Sequence, residues 1–223
     1  MKVEVLRFTP RPLNEIGEMA STCYDTQFKD DEHAMRIGKH CINSGHGRNL
    51  EFPRVVLKIT CSARVGRELY THISGAPTRL QSSTRYITYD NFIYFTPDFG
   101  YDEINEGYIN LMEDIRKFYK KMKDFGIDND KTGYVLPLSM DTQIVVATNA
   151  RMLENLFNQR LCYRALDEFR QLAKMMKKEL SQLDDEWKWI SDKLFVPKCV
   201  KEGVCHENNK KCPLWEKYKP RKE

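Results

Sequence analysis

Between Thr71 and Tyr86 the chain gathers Arg79, Arg85, His72 and several hydroxyl side chains around a Gly75-Ala76-Pro77 turn. Gln81, Ser82, Ser83 and Thr84 add donors and little apolar surface. Such a segment suits a bound anion better than a core. Guanidinium forks stay charged and match phosphate oxygens, and backbone N–H groups of a turn can cradle them. His46 and Arg48 add basic groups near Gly45 and Gly47, and Asn158, Arg160 and Arg170 add polar groups further on. Each also has a plainer reading. His72 can complement a helix C-terminus, His46 can simply follow a helix stop, and Ser82 and Ser83 can be turn residues. Arg160 and Arg170 can form helix-surface pairs, Arg170 with Asp167 or Glu168.

The elements that position these groups are legible from periodicity. Val3 to Phe8 alternates as a strand, and Leu13 to Cys23 has helical spacing. Asp30 to Ser44 reads as a helix with an acidic first turn, stopped by Gly45-His46-Gly47. Arg54 to Cys61 is β-branched and alternating, and Ser62 is placed to cap a helix running to about His72. The anion-binding segment therefore falls where a scaffold hands over to a loop. Ile104 to Phe125 carries Ile104, Tyr108, Leu111, Met112, Ile115, Phe118, Tyr119 and Met122 as the stripe of a long amphipathic helix. Gln143 to Ala147 is a strand and Ala150 to Phe157 a short helix. Leu161 to Leu180 reads as one longer helix, and Asp184 to Leu194 as a last one. Strands and helices interleave without a βαβ rhythm, which predicts α+β: an antiparallel or mixed sheet packed with long helices. Residues 1–195 read as a single domain and 196–223 as a Cys- and Lys-rich tail, whose basic cluster at Lys210, Lys211, Lys217, Lys219, Arg221 and Lys222 reads as a solvated, partly frayed end.

Composition excludes several classes. A 41% hydrophobic fraction supports a packed core. A net charge of +4 is too small to indicate binding to a nucleic acid polymer. There is no apolar run of membrane-spanning length, no secretion-signal layout, and no glycine-rich Rossmann or P-loop phosphate site. Seven cysteines without an export signal point to reduced thiols in a cytoplasm. Cys162 reads as a small buried helix residue. Cys199, Cys205, His206 and Cys212 have the residue types of a zinc site but lack a close Cys-x-x-Cys pair, and adjacent Cys205-His206 is a poor chelate. The preferred reading is free thiols on a docking tail, with no metal assigned.

The order of segments resembles the flavin-dependent thymidylate synthases from about His46 to Arg170. Ser44-Gly45-His46 followed by Glu51 and a strand is similar to that family's Gly-His…Glu stretch. Thr71-His72-Ile73 falls where its Arg-His-Arg tag sits, and Ser83-Thr84-Arg85-Tyr86 is similar to its closing Ser-x-Arg-Tyr. Leu136-Pro137-Leu138, Asn149-Ala150-Arg151, Asn158-Gln159-Arg160 and Asp167-Glu168-Phe169-Arg170 follow as landmarks in the right order. The departures are the two missing arginines at Thr71 and Ile73, a tag-to-serine span longer by one or two residues, and Gln143 in place of a phosphate-binding arginine.

The resemblance implies a homotetramer whose clefts lie between subunits. It implies transfer of a one-carbon unit from methylenetetrahydrofolate to C5 of dUMP, with FAD as cofactor and NADPH as reductant. Arg170, Ser83 and Arg85 are then the expected catalytic residues. Gln81, Ser82, Ser83, Arg85, Arg79 and Arg170 would bind the nucleotide, with Arg79 restoring anion binding lost at Gln143. His46, Arg48, His72, Asn158 and Arg160 would contact the flavin or folate. Two other readings stand beside it: a related C5 modification, such as hydroxymethylation, of dUMP or another pyrimidine nucleotide, and a non-catalytic nucleotide-binding homologue.

Overall fold

Four strands pair in the order β1-β2-β4-β3, formed by Lys2–Phe8, Arg54–Ser62, Thr78–Gln81 (β3) and Asp141–Asn149 (β4). Every pair is antiparallel, so the mixed alternative does not arise among them. The computed structural model describes residues 1–25, 27–72 and 78–218, apart from the side chains of Tyr24 and His72. Ile73 to Pro77, the turn of the expected anion-binding segment, lie outside the described residues, as do Lys219, Arg221 and Lys222 of the basic tail.

Alternation decides the two faces of the sheet. Leu57, Ile59 and Cys61 of β2 stand opposite Val146, Ile144 and Thr142 of β4, and all six are buried. Val56, Lys58 and Thr60 stand opposite Ala147, Val145 and Gln143 on the other face, where none is fully buried. Helices cover the first face: α1 (Pro12–Ser21), α2 (Asp31–Asn43), α3 (Ala63–His72), α6 (Ala150–Arg160), α7 (Asp167–Ser181) and α8 (Asp185–Leu194). Leu13, Ile16, Leu153, Phe157, Phe169, Met176, Trp187 and Ile190 from these helices close the core over β2 and β4.

Two contacts fix the helical layer. Gly17 and Gly38 let α1 and α2 touch backbone to backbone. A Cβ on Gly17 would stand 1.8 Å from the Ala34 carbonyl oxygen, and one on Gly38 would stand 2.1 Å from that of Leu13. At its N-terminus α1 has no side-chain cap of its own, because Arg11 is in the left-handed region. The first N–H groups are taken from across the chain instead. Glu186 Oε2 accepts from Leu13 and Asn14 at 2.7 and 3.1 Å, and Asp184 Oδ2 accepts from Arg11 at 3.0 Å.

Several expectations are met closely. Ser62 Oγ accepts from the Val65 N–H at 3.1 Å, so Ser62 caps α3. Asp30 caps α2, and Asp184 caps α8. Three others are corrected. The chain does not run as one helix from Leu161 to Leu180: a turn occupies 161–166 and α7 begins at Asp167, where Leu166 is extended and Asp167-Glu168 meet the helix N-terminus. Cys162 therefore sits half-buried in that turn, not within a helix. The stripe of α4 (Asp102–Asp124) is not buried as a whole. Met112 and Tyr119 go inward, while Ile104, Leu111 and Phe118 stay 52, 55 and 53% exposed. A loop flanks α4: Tyr119 accepts from the Tyr89 N–H, and Tyr108 donates to the Phe95 carbonyl. A short α5 (Asn129–Thr132) follows. Ahead of the basic cluster, α9 (Lys198–Glu202) docks by an ion pair from Lys201 to Glu154 and Val204 is buried, while Lys210, Lys211 and Lys217 are exposed.

Candidate active site

The site is built where the end of β2 turns into α3. Ser62, the last residue of β2, is held by Glu168 from α7, whose carboxylate accepts from the Ser62 N–H at 3.0 Å and from its hydroxyl at 2.7 Å. Glu168 is 3% exposed, so this is a buried charge-assisted contact, and breaking it would strand a carboxylate without partners. It clamps the first turn of α7 against the first turn of α3. Arg64, Arg67, Glu68 and Thr71 recur at helical spacing along α3 and line one cavity with Leu138. Arg64 and Leu138 also line an adjoining cavity of about 580 Å³. Its walls include Phe95, Phe99, Tyr108 and Leu166, with Asp167 and Glu168 at the α7 end.

Cations gather around this trough. Arg160, at the end of α6, pairs with Glu68 at 3.5 Å and lies over the Phe169 ring at 4.8 Å. Burial lowers its pKa and Glu68 opposes that shift. Arg170 pairs with Asp167, lies over the Tyr163 ring at 4.7 Å, and is 18% exposed. Its Nε is buried and has no hydrogen-bond partner among the described residues. A buried guanidinium N–H left unmatched is costly unless something else accepts from it. With Arg64 and Arg67 the neighbourhood holds four guanidiniums against Glu68, Asp167 and Glu168. That excess suits an anionic ligand with a flat ring to lay against the aromatic wall.

Asn158 lines one cavity with Arg160, and the other predicted residues make contacts of their own. Gln81 closes β3 and donates to Thr142 Oγ1 at 3.1 Å. Ser82 continues the ladder through its N–H to the Gln143 carbonyl at 2.9 Å, and its side chain meets the Tyr89 hydroxyl. Ser83 Oγ accepts from the Arg85 N–H. Arg85 is 64% exposed and reaches Asp130 at 2.9 Å, holding that carboxyl below its ordinary range. Arg79 donates to the Tyr70 carbonyl at 2.9 Å and stacks on the Tyr70 ring at 3.9 Å. The register sets Arg79 opposite Val146, on the face away from Gln143, so it does not stand in for an arginine at Gln143 within one chain. His46 is exposed beside a cavity shared with Arg151 and Lys201, and Arg48 is exposed on the following short turn. Asn158 donates its amide to the Leu194 carbonyl at 3.1 Å, tying α6 to the end of α8. The His72 side chain lies outside the described residues.

Sequence reading missed Arg64, Arg67, Glu68 and the clamp at Glu168. The four-residue polar rhythm of α3 could have revealed the first three. The partner of Glu168 lies 106 residues away, and no local pattern announces it.

A family model described as thymidylate synthase complementing protein, Thy1, matches residues 4–184. The chain belongs to the Thy1 family. The match covers every element from β1 to α7, including the Ser62–Glu168 clamp and both cavities beside Arg64. Flavin-dependent thymidylate synthases are among the relatives of this Thy1 chain. That of Pyrococcus furiosus is 27% identical, over 94% of this chain and 91% of its own length. That of Clostridium tetani is also 27% identical, over 95% and 93%. Among solved structures, the Helicobacter pylori flavin-dependent thymidylate synthase ThyX, complexed with FAD and dUMP, shares the fold with a TM-score of 0.70. It is 21% identical and aligns over 87% of this chain and 99% of its own.

Proposed function

We propose that this Thy1 chain is a flavin-dependent thymidylate synthase. It transfers a one-carbon unit from methylenetetrahydrofolate to C5 of dUMP, with NADPH-derived reduction, and yields dTMP. The observation that carries this reading is the mostly enclosed Arg170 guanidinium, its buried Nε without an acceptor among the described residues, beside a cationic trough within the region matched by the family model. FAD, when bound, supplies the redox chemistry. Its pyrophosphate and the nucleotide phosphate are anions of the kind that Arg64, Arg67, Arg160 and Arg170 can hold. His46, Arg48, His72 and Asn158 are further candidates for the flavin and folate. Negative charge gathers on the pyrimidine carbonyls as C5 is activated, and a fixed guanidinium aimed there lowers the barrier. Arg170 is assigned that task, while Gln81, Ser82, Ser83, Arg79 and Arg85 bind the nucleotide.

In this reading the complete site takes residues from neighbouring subunits of a homotetramer, the 81–85 segment among them. Ile104, Leu111 and Phe118 support this reading, because they recur every seventh residue on an exposed helix face. The half-covered face of the sheet supports it too. Residues 1–195 form the catalytic unit and 196–223 an appended segment. Among the described residues no helix is long and apolar enough to cross a membrane. A cytoplasmic location fits seven cysteines of which none is in a disulfide among the described residues.

The test is direct: purified protein with FAD, NADPH, methylenetetrahydrofolate and dUMP, products read by mass spectrometry. Formation of dTMP is expected. A hydroxymethylated product, turnover of uridylate instead, or a colourless protein that takes up no flavin would each overturn the assignment.

A further inference from the structure

Four of the seven cysteines line a single cavity of about 230 Å³ between the turn after α6 and the C-terminal segment: Cys162, Cys199, Cys205 and Cys212. They come from two regions of the chain that only the fold brings together. Three of the sulfurs share one local geometry. The N–H two residues onward points at the sulfur, from Arg164 to Cys162 at 3.5 Å, from Glu207 to Cys205 at 3.4 Å, and from Leu214 to Cys212 at 3.4 Å. The flanking sequences, Tyr163-Arg164, His206-Glu207 and Pro213-Leu214, have nothing in common. Peptide N–H groups aimed at sulfur favour the thiolate, the form that ligates metal, and tune thiolate-bound centres. A cysteine that merely fills space needs no such donor. His206, the histidine of this segment, also lines the cavity, but its Nε2 is paired with Glu202 at 2.6 Å. Cys162 completes the set in its place.

The segment itself lacks other means of holding a shape. Between 196 and 218 the described structure is one five-residue helix, a β-bridge at Cys205 and a series of turns, with Val204 as its buried hydrophobic residue. Ordering that much chain costs conformational entropy which so little apolar burial does not offset. Arg164 and Lys198 also line the cavity and can balance the charge of four thiolates around a cation.

We propose that Cys162, Cys199, Cys205 and Cys212 bind one thiolate-ligated soft-metal centre that fastens the C-terminal segment to the turn after α6. Four thiolates suit either a tetrahedral zinc ion or an iron–sulfur cluster. The thiol protons leave to solvent as the metal binds. No three of the described Cys, His, Asp or Glu side chains converge on a point as they stand. Binding therefore draws the sulfurs inward from the cavity wall.

The test is metal and acid-labile sulfide analysis of the full chain, purified without oxygen or chelators. About one zinc per chain, or about four irons with matching sulfide, supports the centre and identifies it. Cys162→Ser and Cys212→Ser should each lower metal content about tenfold or more, while Cys23→Ser, at an exposed thiol away from the cavity, leaves it unchanged. Metal-free protein, disulfides among these four cysteines in that preparation, or a Cys162→Ser protein that keeps its metal would overturn the proposal. Should the serine variants fail to fold, the unaltered chain provides the readout. Chelation should speed proteolysis between residues 196 and 218, and a cleavage rate that chelator does not alter would refute the fastening role.

Discussion

At the scale of single residues, the chemistry concentrates in guanidinium groups whose surroundings differ. Arg85 is exposed and paired with Asp130, a contact that water and salt weaken. Arg170 is mostly enclosed, stacked on Tyr163, with one N–H left over. Removing it should therefore do more. Arg170→Ala is expected to lower kcat/KM for dUMP by about 100-fold, on the scale of losing one transition-state donor. Arg170→Lys should recover little, because an ammonium has no planar fork. Steady-state kinetics with calorimetric dUMP binding check this, and the idea fails if Arg170→Lys is as active as the unaltered chain. Arg170 was legible as a candidate because Asp167-Glu168-Phe169-Arg170 resembles a landmark of the family. Its value as a ligand was not, because burial of Nε depends on the turn at 161–166.

At the scale of elements, helix ends are finished from outside the helix. Glu186 of α8 supplies the acceptor for the first N–H groups of α1. Burial pushes the Glu186 carboxyl above its ordinary value, and the N–H groups of Asn14 and Leu13 pull it partly back. The folded state thus holds the proton more firmly than the unfolded chain does. That contribution to stability is fully present below the ordinary value of 4.5 and is lost as pH rises through the folded value. Glu186→Gln cannot ionise, so its urea midpoint should fall less than that of the unaltered protein between about pH 4 and about pH 6. Parallel curves would refute the assignment. Glu186→Ala should cost about 2 kcal/mol at any pH by stranding two helix N–H groups. Apolar periodicity revealed α1 and α8 separately, and Asp184 as a cap was readable. The service of Glu186 to α1 spans 173 residues and was not.

At the scale of the whole molecule, two surfaces stand unfinished in the single chain. The β2–β4 face carrying Val56, Val145 and Ala147 is partly open, and α4 presents Ile104, Leu111 and Phe118 to solvent. In the proposed tetramer this apolar surface forms part of an interface. Leu111→Glu with Phe118→Glu should convert a tetramer to smaller species in light scattering, and dTMP formation should fall with it if sites are shared. A double variant that stays tetrameric would remove α4 from the interface.

The sequence by itself determined the alternation of β2 and β4, the helices α1, α2, α3 and α8, the Ser62 cap of α3, and the α+β class. Those features depend on neighbours within a few residues, so pattern suffices. It also carried the ordered landmarks that suggested the family. Tertiary structure alone decided the edge strand β3, whose four residues, three of them polar, become a strand by pairing with β4. It likewise decided the break before α7, the Ser62–Glu168 clamp, the exposure of the α4 stripe and the meeting of Cys162 with the C-terminal cysteines. Each of these depends on partners remote along the chain, and the free energy of such a contact is not written in either segment taken alone.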